Sequence, residues 1–330
     1  MLKGALIGVG MLGRGHLKNL LRLEKDRGDF VIVAISDVEE SRMDLPEDPD
    51  KSTINYRKYT DADALLKNEA PDFIISAVPS YLHAEIAIKA VKAGAHVLSE
   101  KPIALSIADC EKMAEAAKLN GKILQIGQCL RFWPEYVKLR EYISTEAYGR
   151  TVRAEFNRLC QFPVHSWKRW MNDFDKSGGA ALDLHVHDAD FIQYAFGPPA
   201  SVSSQATHAK MRFESLLTRY EYPGMIINST ADWGFAGKYP FSMSFTVRFE
   251  NATVEMNAGG FKVYPDGAEP FAPELDKADP YMREADEFIG RVIDRGRFET
   301  VPVESVLRTM RLVFAEMESA EKGGPVAVNL

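Results

Sequence analysis

Residues 5–13 read Ala5-Leu6-Ile7-Gly8-Val9-Gly10-Met11-Leu12-Gly13, an apolar run that breaks into glycines at the spacing G-x-G-x-x-G. The apolar residues Ala5 to Val9 predict a buried strand, and the pattern from Gly13 to Leu23 predicts a helix. Alone the motif is weak, but a strand before it and a helix after it make it a phosphate-binding turn. Gly8 permits the turn, Gly10 lets backbone approach a pyrophosphate, and Gly13 lets helix and strand pack closely. The helix N-terminus offers its free N–H groups to the anion, with Met11 and Leu12 in the same loop. Asp37 ends the next apolar run, 24 positions after Gly13, close to the ~20 expected of an acid that binds the adenosine ribose. A carboxylate there repels a 2′-phosphate, so the expected cofactor is NAD, preferred over NADP.

Outward from this loop the rhythm repeats. Phe30–Ser36, Phe73–Val78, His96–Ser99 and Ile123–Ile126 are nearly continuous in Val, Ile, Leu, Ala and Phe, as strands covered on both faces require. Leu82–Lys92 and Ile107–Leu119 carry apolar residues at helical spacing, with Ser106 and Asp109 as a cap and Gly94 and Gly121 as stops. Alternating strands and helices imply parallel pairing. Residues 1–126 are therefore expected to form a doubly wound α/β Rossmann domain. After Gly127 a helix from Pro134 to Ile143 leads into an extended run, Thr151–Cys160, and a second helix is expected over Ala180–Phe196. Short strands follow one another from Val202 to Tyr264, then two helices, Tyr281–Asp294 and Val303–Glu321. Residues 127–330 are expected to be an α+β domain with a mostly antiparallel sheet. Met243, Phe245 and Val247 mark an apolar face available for a subunit contact.

A length of 330 residues fits two such domains, and 46% apolar with 26% charged residues excludes a disordered or fibrous chain. The formal charge of −7 disfavours a phosphate backbone as partner, so no nucleic acid is expected. Cys110, Cys129 and Cys160 are far apart and odd in number, which fits a reduced cytoplasmic protein better than a disulfide framework. The apolar stretch Leu6–Leu12 is too short and too glycine-rich for a signal or a membrane span, and no membrane partner is expected.

Chemistry-bearing residues lie in two places. Lys101, in Glu100-Lys101-Pro102, follows a strand and so stands at the sheet edge where ligands bind in open α/β folds. On the predicted helix Ala180–Phe196, Asp183, His187 and Asp190 recur at i, i+4 and i+7, which places them on one face, with His185 pointing elsewhere. A polar stripe on an apolar helix needs partners, and a substrate is one candidate. No third Cys or His stands at metal-ligand spacing, so no metal is expected. In the stretch Gln161–Ser177, Trp167 and Trp170 suit either stacking on a sugar ring or anchoring the loop. His165, Lys168, Arg169 and Asp173 are candidate hydroxyl partners, and Arg158, which ends a strand near this loop, is open in the same way.

Taken in order, these markers resemble the Gfo/Idh/MocA oxidoreductases. They are the glycine loop with Asp37, "AVPSYLH" with Pro79 and His83, Glu100-Lys101-Pro102, Gln128 in "QIGQCLRF", "GGAALDLHVHDAD" from Gly178 to Asp190, and "YMREADEFI" from Tyr281. The resemblance spans essentially the whole chain. It implies a nicotinamide cofactor held by the glycine loop, Asp37, Pro79, His83, Glu100, Lys101 and Gln128. It also implies a catalytic set of Lys101, Asp183 and His187, which with Asp190, Arg158, Trp167 and Trp170 would face the substrate. In this family the open sheet face usually makes a subunit interface, so a homodimer or homotetramer is expected. The implied activity is NAD-dependent oxidation of a secondary alcohol of a sugar, inositol or related polyol. A non-catalytic sensor of the same fold and a redox-neutral NAD-dependent glycosidase are the alternatives.

Overall fold

The computed structural model describes residues 1–44, 56–164 and 166–329, so His165 lies outside the described residues. In chain order the first elements are β1 (Leu2–Ile7), α1 (Met11–Arg27), β2 (Phe30–Ser36), β3 (Arg57–Tyr59), α2 (Ala62–Glu69) and β4 (Phe73–Ser76). Next come α3 (His83–Lys92), β5 (His96–Glu100), α4 (Ile107–Leu119), β6 (Leu124–Gly127), α5 (Pro134–Ser144), β7 (Thr151–Gln161), α6 (Phe174–Ser177) and α7 (Val186–Phe196). The chain continues with β8 (Ser201–Thr207), β9 (Ser215–Tyr222), β10 (Met225–Phe235), β11 (Ser242–Phe249), β12 (Ala252–Asn257), β13 (Gly260–Pro265), α8 (Pro280–Ile293), α9 (Val303–Lys322) and β14 (Val326–Ala327).

Contacts divide the chain into two units. The first takes Met1–Cys129 with Asp279–Val303, and the second takes Leu130–Ala278 and the chain from Glu304 onward. In the first unit six parallel strands run in the order β3-β2-β1-β4-β5-β6. The order reverses between β1 and β4, the switch point outside which an open α/β sheet binds ligands. Helix α8 joins this unit because its apolar residues have a place in the core. Ala285, Phe288 and Ile289 pack with Leu17, Leu20, Phe30, Ile35 and Phe73, and the Phe288 ring meets Phe73 edge-on at 6.0 Å. Asp279 caps the helix by accepting the Met282 N–H at 2.9 Å.

The second unit holds eight strands in the order β13-β12-β11-β7-β10-β9-β8-β14, antiparallel throughout except where β10 lies parallel to β7. Reading consecutive strands as hairpins accounts for β8-β9-β10 and β11-β12-β13; β7 lies between the two meanders and joins them. Alternate residues of each strand are buried, among them Phe156, Tyr220, Ile227, Phe245 and Val247. The Tyr136 ring of α5 sits at the centre of this layer, 4.8 Å from Phe191 of α7 and 5.1 Å from Phe245. The expectation that Phe245 and Val247 line a face open to a subunit is therefore corrected. These two form the core side of β11, and its open side carries Thr246 and Arg248. Among the described residues no helix is long and apolar enough to cross a membrane.

Candidate active site

In the first unit the glycine loop has the geometry that its spacing requires. Gly8 has φ of +93°, and a Cβ there would meet the Ala77 carbonyl oxygen at 2.5 Å. A Cβ on Gly13 would lie 1.9 Å from the Gly8 oxygen, whereas one on Gly10 would meet nothing within 4 Å. Gly8 and Gly13 thus serve the fold, and Gly10 faces open space at the start of α1. That helix has no side-chain cap and no acid in its first turn, which suits an anion. Asp37 ends β2 with its carboxylate turned to the loop: Oδ2 accepts the Val9 N–H at 2.8 Å and Oδ1 the Glu39 N–H at 2.9 Å. Met11 is 94% exposed beside Gly10, and Leu12 is exposed as well.

The Glu-Lys-Pro turn follows β5, with the Lys101–Pro102 peptide cis. Glu100 is buried against the His16 imidazole of α1, Oε1 to Nε2 at 2.6 Å. Burial pushes its carboxyl up, but His16, Lys101 and His83 together outweigh this and hold it below its ordinary value. Pro79 opens the short turn after β4, and His83 begins α3. Both His83 ring nitrogens are occupied, Nδ1 by the Pro102 oxygen at 2.7 Å and Nε2 by the Val78 oxygen at 2.9 Å. Burial draws the His83 pKa down against those two carbonyls. Glu100 and His83, expected as cofactor contacts, also tie the turn after β5 to α1 and to the turn after β4. Gln128 differs from them: its amide is 1% exposed, and neither end has a hydrogen-bond partner. A buried amide in that state calls for a ligand. The orphan amide, the open space at Gly10 and the uncapped helix fit a dinucleotide.

In the second unit the expected helix begins as a π-turn, Ala181–His185, before α7. Such bulges mark functional sites. Every residue from Ser177 to Gln193 is buried except Asp183 and His187, which are half-buried. The buried polar groups around them are held within the unit. His185 pairs with Glu316 of α9 at 2.7 Å and meets the Tyr220 hydroxyl at 3.1 Å. Asp188 takes two hydrogen bonds from Arg158, at 2.9 and 3.0 Å. Asp190 takes two from Arg131, at 2.8 and 2.7 Å, and a third from Thr309 at 2.8 Å. Two expectations are corrected by this. Asp190 does not share the open face of Asp183 and His187, and Arg158 is 3% exposed; both carry buried ion pairs. Arg131, Glu316 and Tyr220 were missed in the sequence, although Thr309 and Glu316 interrupt the apolar stripe Val306, Met310, Val313 and Met317 and so carried a signal.

Cys160, on β7, stays a thiol: burial, Asp183 and Asp232 push its pKa up to about 11. The loop beyond it packs on Ala180, Leu184, Ala231 and Trp233 through Phe162, Met171 and Phe174. Trp167 and Trp170 stand outside that cluster, half-buried. Lys168 and Arg169 between them take left-handed backbone with φ of 47° and 55°, and the Lys168 ammonium lies 4.5 Å over the Trp167 ring.

Fold and loop thus define a dinucleotide-binding Rossmann protein with a second α+β unit. A family profile described as an oxidoreductase family with an NAD-binding Rossmann fold matches residues 2–128, and the GFO/IDH/MocA C-terminal domain matches 136–255. The chain belongs to the Gfo/Idh/MocA family. It is 32% identical to a 2,7-anhydro-N-acetylneuraminate hydratase of Mediterraneibacter gnavus over 195 residues, 58% of this chain and 50% of that protein. With the inositol 2-dehydrogenase of Salmonella typhimurium it shares 32% over 194 residues, 58% of this chain and 54% of that one. The chain thus spans about half the length of these relatives. A levoglucosan dehydrogenase solved with NADH and levoglucosan superposes with a TM-score of 0.84 at 18% identity, covering 100% of both chains, which establishes the fold.

Proposed function

We propose that this protein is an NAD-dependent dehydrogenase that oxidises a secondary alcohol of a sugar, inositol or related polyol. The observation that carries the reading is the pair Asp183 and His187, the two residues left open on a stretch otherwise buried from Ser177 to Gln193. Removing hydrogen from an alcohol needs a base for the hydroxyl proton and an acceptor for the hydride. NAD, when bound, supplies the hydride acceptor. Gly8, Gly10 and Gly13 would cradle its pyrophosphate, Asp37 its ribose, and Gln128 would give its unpartnered amide to the nicotinamide side. His187 takes the hydroxyl proton at its imidazole, the side-chain type most used as a general base. Lys101 donates a hydrogen bond to the hydroxyl oxygen and stabilises its alkoxide character. Asp183 orients and charge-balances these groups. Asp37 favours NAD over NADP, and the trio argues against a sensor without turnover. The protein is read as a homodimer or homotetramer, and its three free thiols suit the cytoplasm.

The test is a panel of sugars and polyols with NAD, followed by single-turnover rates for His187→Ala and Lys101→Ala. Each substitution is expected to lower the rate by ~100-fold or more while NAD still binds. Full activity in His187→Ala would remove the base from the mechanism. The relatives named as hydratases favour a second reading, redox-neutral chemistry in which NAD is regenerated within each cycle. Product formed without net NADH separates it from the first.

A further inference from the structure

His185 carries an imidazole within the stretch of the candidate site, yet it takes no part in the chemistry set out above. It is the last residue of the π-turn Ala181–His185, whose other members are Ala181, Leu182, Leu184 and the half-buried Asp183. Its ring is thus the one polar side chain that this turn buries completely. There Nε2 stands 2.7 Å from Glu316 Oε2 of α9 and 3.1 Å from the Tyr220 hydroxyl of β9, with both His185 and Glu316 wholly buried. The other end of the turn is fixed through the backbone. The Ala180 N–H donates to the Phe213 oxygen at 2.9 Å, and a Cβ on Gly179 would meet the Arg212 oxygen at 2.6 Å. A turn closed i→i+5 is rare and occurs mostly as a single turn inside an α-helix. Without anchors at both ends, a segment rich in Ala and Leu would close i→i+4 instead.

We propose that His185, clamped by Glu316 and Tyr220, is a positioning residue that holds the π-turn and thereby sets the spacing of Asp183 and His187. The inference rests on the dehydrogenase reading and adds to its machinery a group that does not touch the substrate. His185 lies two positions from each member of the pair, so a change in how the turn closes rotates Asp183 about the helix axis relative to His187. A displacement of about 1 Å at reacting groups costs on the order of 100-fold in rate. Stability gives no comparable reason for these buried polar groups, because apolar side chains of like volume often replace such a cluster without loss. What they supply is direction: the imidazole meets its two partners in one arrangement of the turn, and apolar packing does not demand that arrangement.

Three variants of the full chain separate position from stability. His185→Gln keeps an N–H donor near the place of Nε2, and His185→Leu removes it. A triple variant, His185→Leu with Glu316→Met and Tyr220→Phe, removes every polar member and should melt close to wild type. With NAD and the alcohol that the panel returns, kcat is expected to fall about 10- to 100-fold in His185→Leu and in the triple variant. KM for the alcohol and Kd for NAD should stay within about threefold, and His185→Gln should recover most of kcat. Crystal structures of wild type and triple variant give a readout without substrate: residues 181–185 are expected to close i→i+4 in the variant. Wild-type kcat in the triple variant overturns the inference, as does a turn that stays π-helical there. Should the triple variant not fold, His185→Leu and His185→Gln decide, and equal kcat in the two overturns it. No turnover of any panel alcohol by wild type would instead sink the dehydrogenase reading, with the crystal structures still deciding whether His185 holds the turn.

Discussion

At the scale of single residues, the three loop glycines separate support of the fold from contact with a ligand. A methyl on Gly13 would have to occupy space 1.9 Å from the Gly8 oxygen, while a methyl on Gly10 would project into open space at a backbone φ of −68° that any residue accepts. Gly13→Ala is therefore expected to lower the thermal midpoint by several degrees, a loss of roughly 1–3 kcal/mol. Gly10→Ala should melt like wild type and yet bind NAD at least about tenfold more weakly, because its methyl meets the pyrophosphate. Calorimetry and NAD titration on both variants check the pair, and equal NAD affinity in Gly10→Ala would show that the backbone is not approached there. This much was legible in the sequence, since glycine spacing encodes backbone geometry directly. Gln128 was read from the family resemblance; that its amide is buried without a hydrogen-bond partner is visible only in the structure.

At the scale of elements, helical periodicity located the stretch from Ala180 to Phe196 but not its π-turn. By spacing alone Asp183, His187 and Asp190 share one face, whereas the Asp190 carboxylate is buried against Arg131 and Thr309. A π-turn adds no letter to the sequence; it is fixed by what anchors it, here His185 to Glu316 and Tyr220, Asp188 to Arg158, and Asp190 to Arg131 and Thr309. Those partners are up to 131 positions away, beyond the reach of any local pattern. His185→Ala would leave the buried Glu316 carboxyl without its imidazole partner, a cost of about 1–3 kcal/mol. Urea unfolding is expected to show that loss, and a change under about 1 kcal/mol would mean that the pair contributes little. In the first unit, His96 on β5 accepts the Ile123 N–H at Nδ1 at 2.9 Å. Burial, with Lys122 and Arg295 nearby, lowers its pKa to about 4. The unfolded chain then binds the proton more readily, so stability is full above pH ~6.5 and falls as the pH drops toward 4. A loss of about 1–2 kcal/mol, allowing for solvent screening, is expected across that window, and His96→Gln should flatten it.

At the scale of the whole molecule, the open face of the eight-stranded sheet decides how copies of the chain would meet. Alternation along the strands was legible, but which of its two sets points outward depends on the helices, and on β11 the apolar set faces them. Following the register across the sheet, one open row runs Arg219, Asn228, Glu155, Thr246, Glu255, Lys262, and the next runs Glu221, Ile226, Arg153, Arg248, Thr253, Tyr264. Charges of both signs alternate with hydroxyls and amides, and large apolar side chains are few, with Leu217 and Ile226 45% and 47% exposed. A self-association through this face would rest on paired charges and the flat sheet more than on a greasy patch. It should therefore be sensitive to salt, unlike one built on Phe245 and Val247. Sedimentation at micromolar concentration is expected to give a dimer or tetramer at 50 mM NaCl whose dissociation constant rises several-fold by 500 mM. Arg153→Glu, which places a like charge beside Glu155 in the middle of the rows, should weaken it further without changing the melting of the monomer. A monomer at every salt concentration would remove the association, and an oligomer indifferent to both salt and Arg153→Glu would place the contact on another surface.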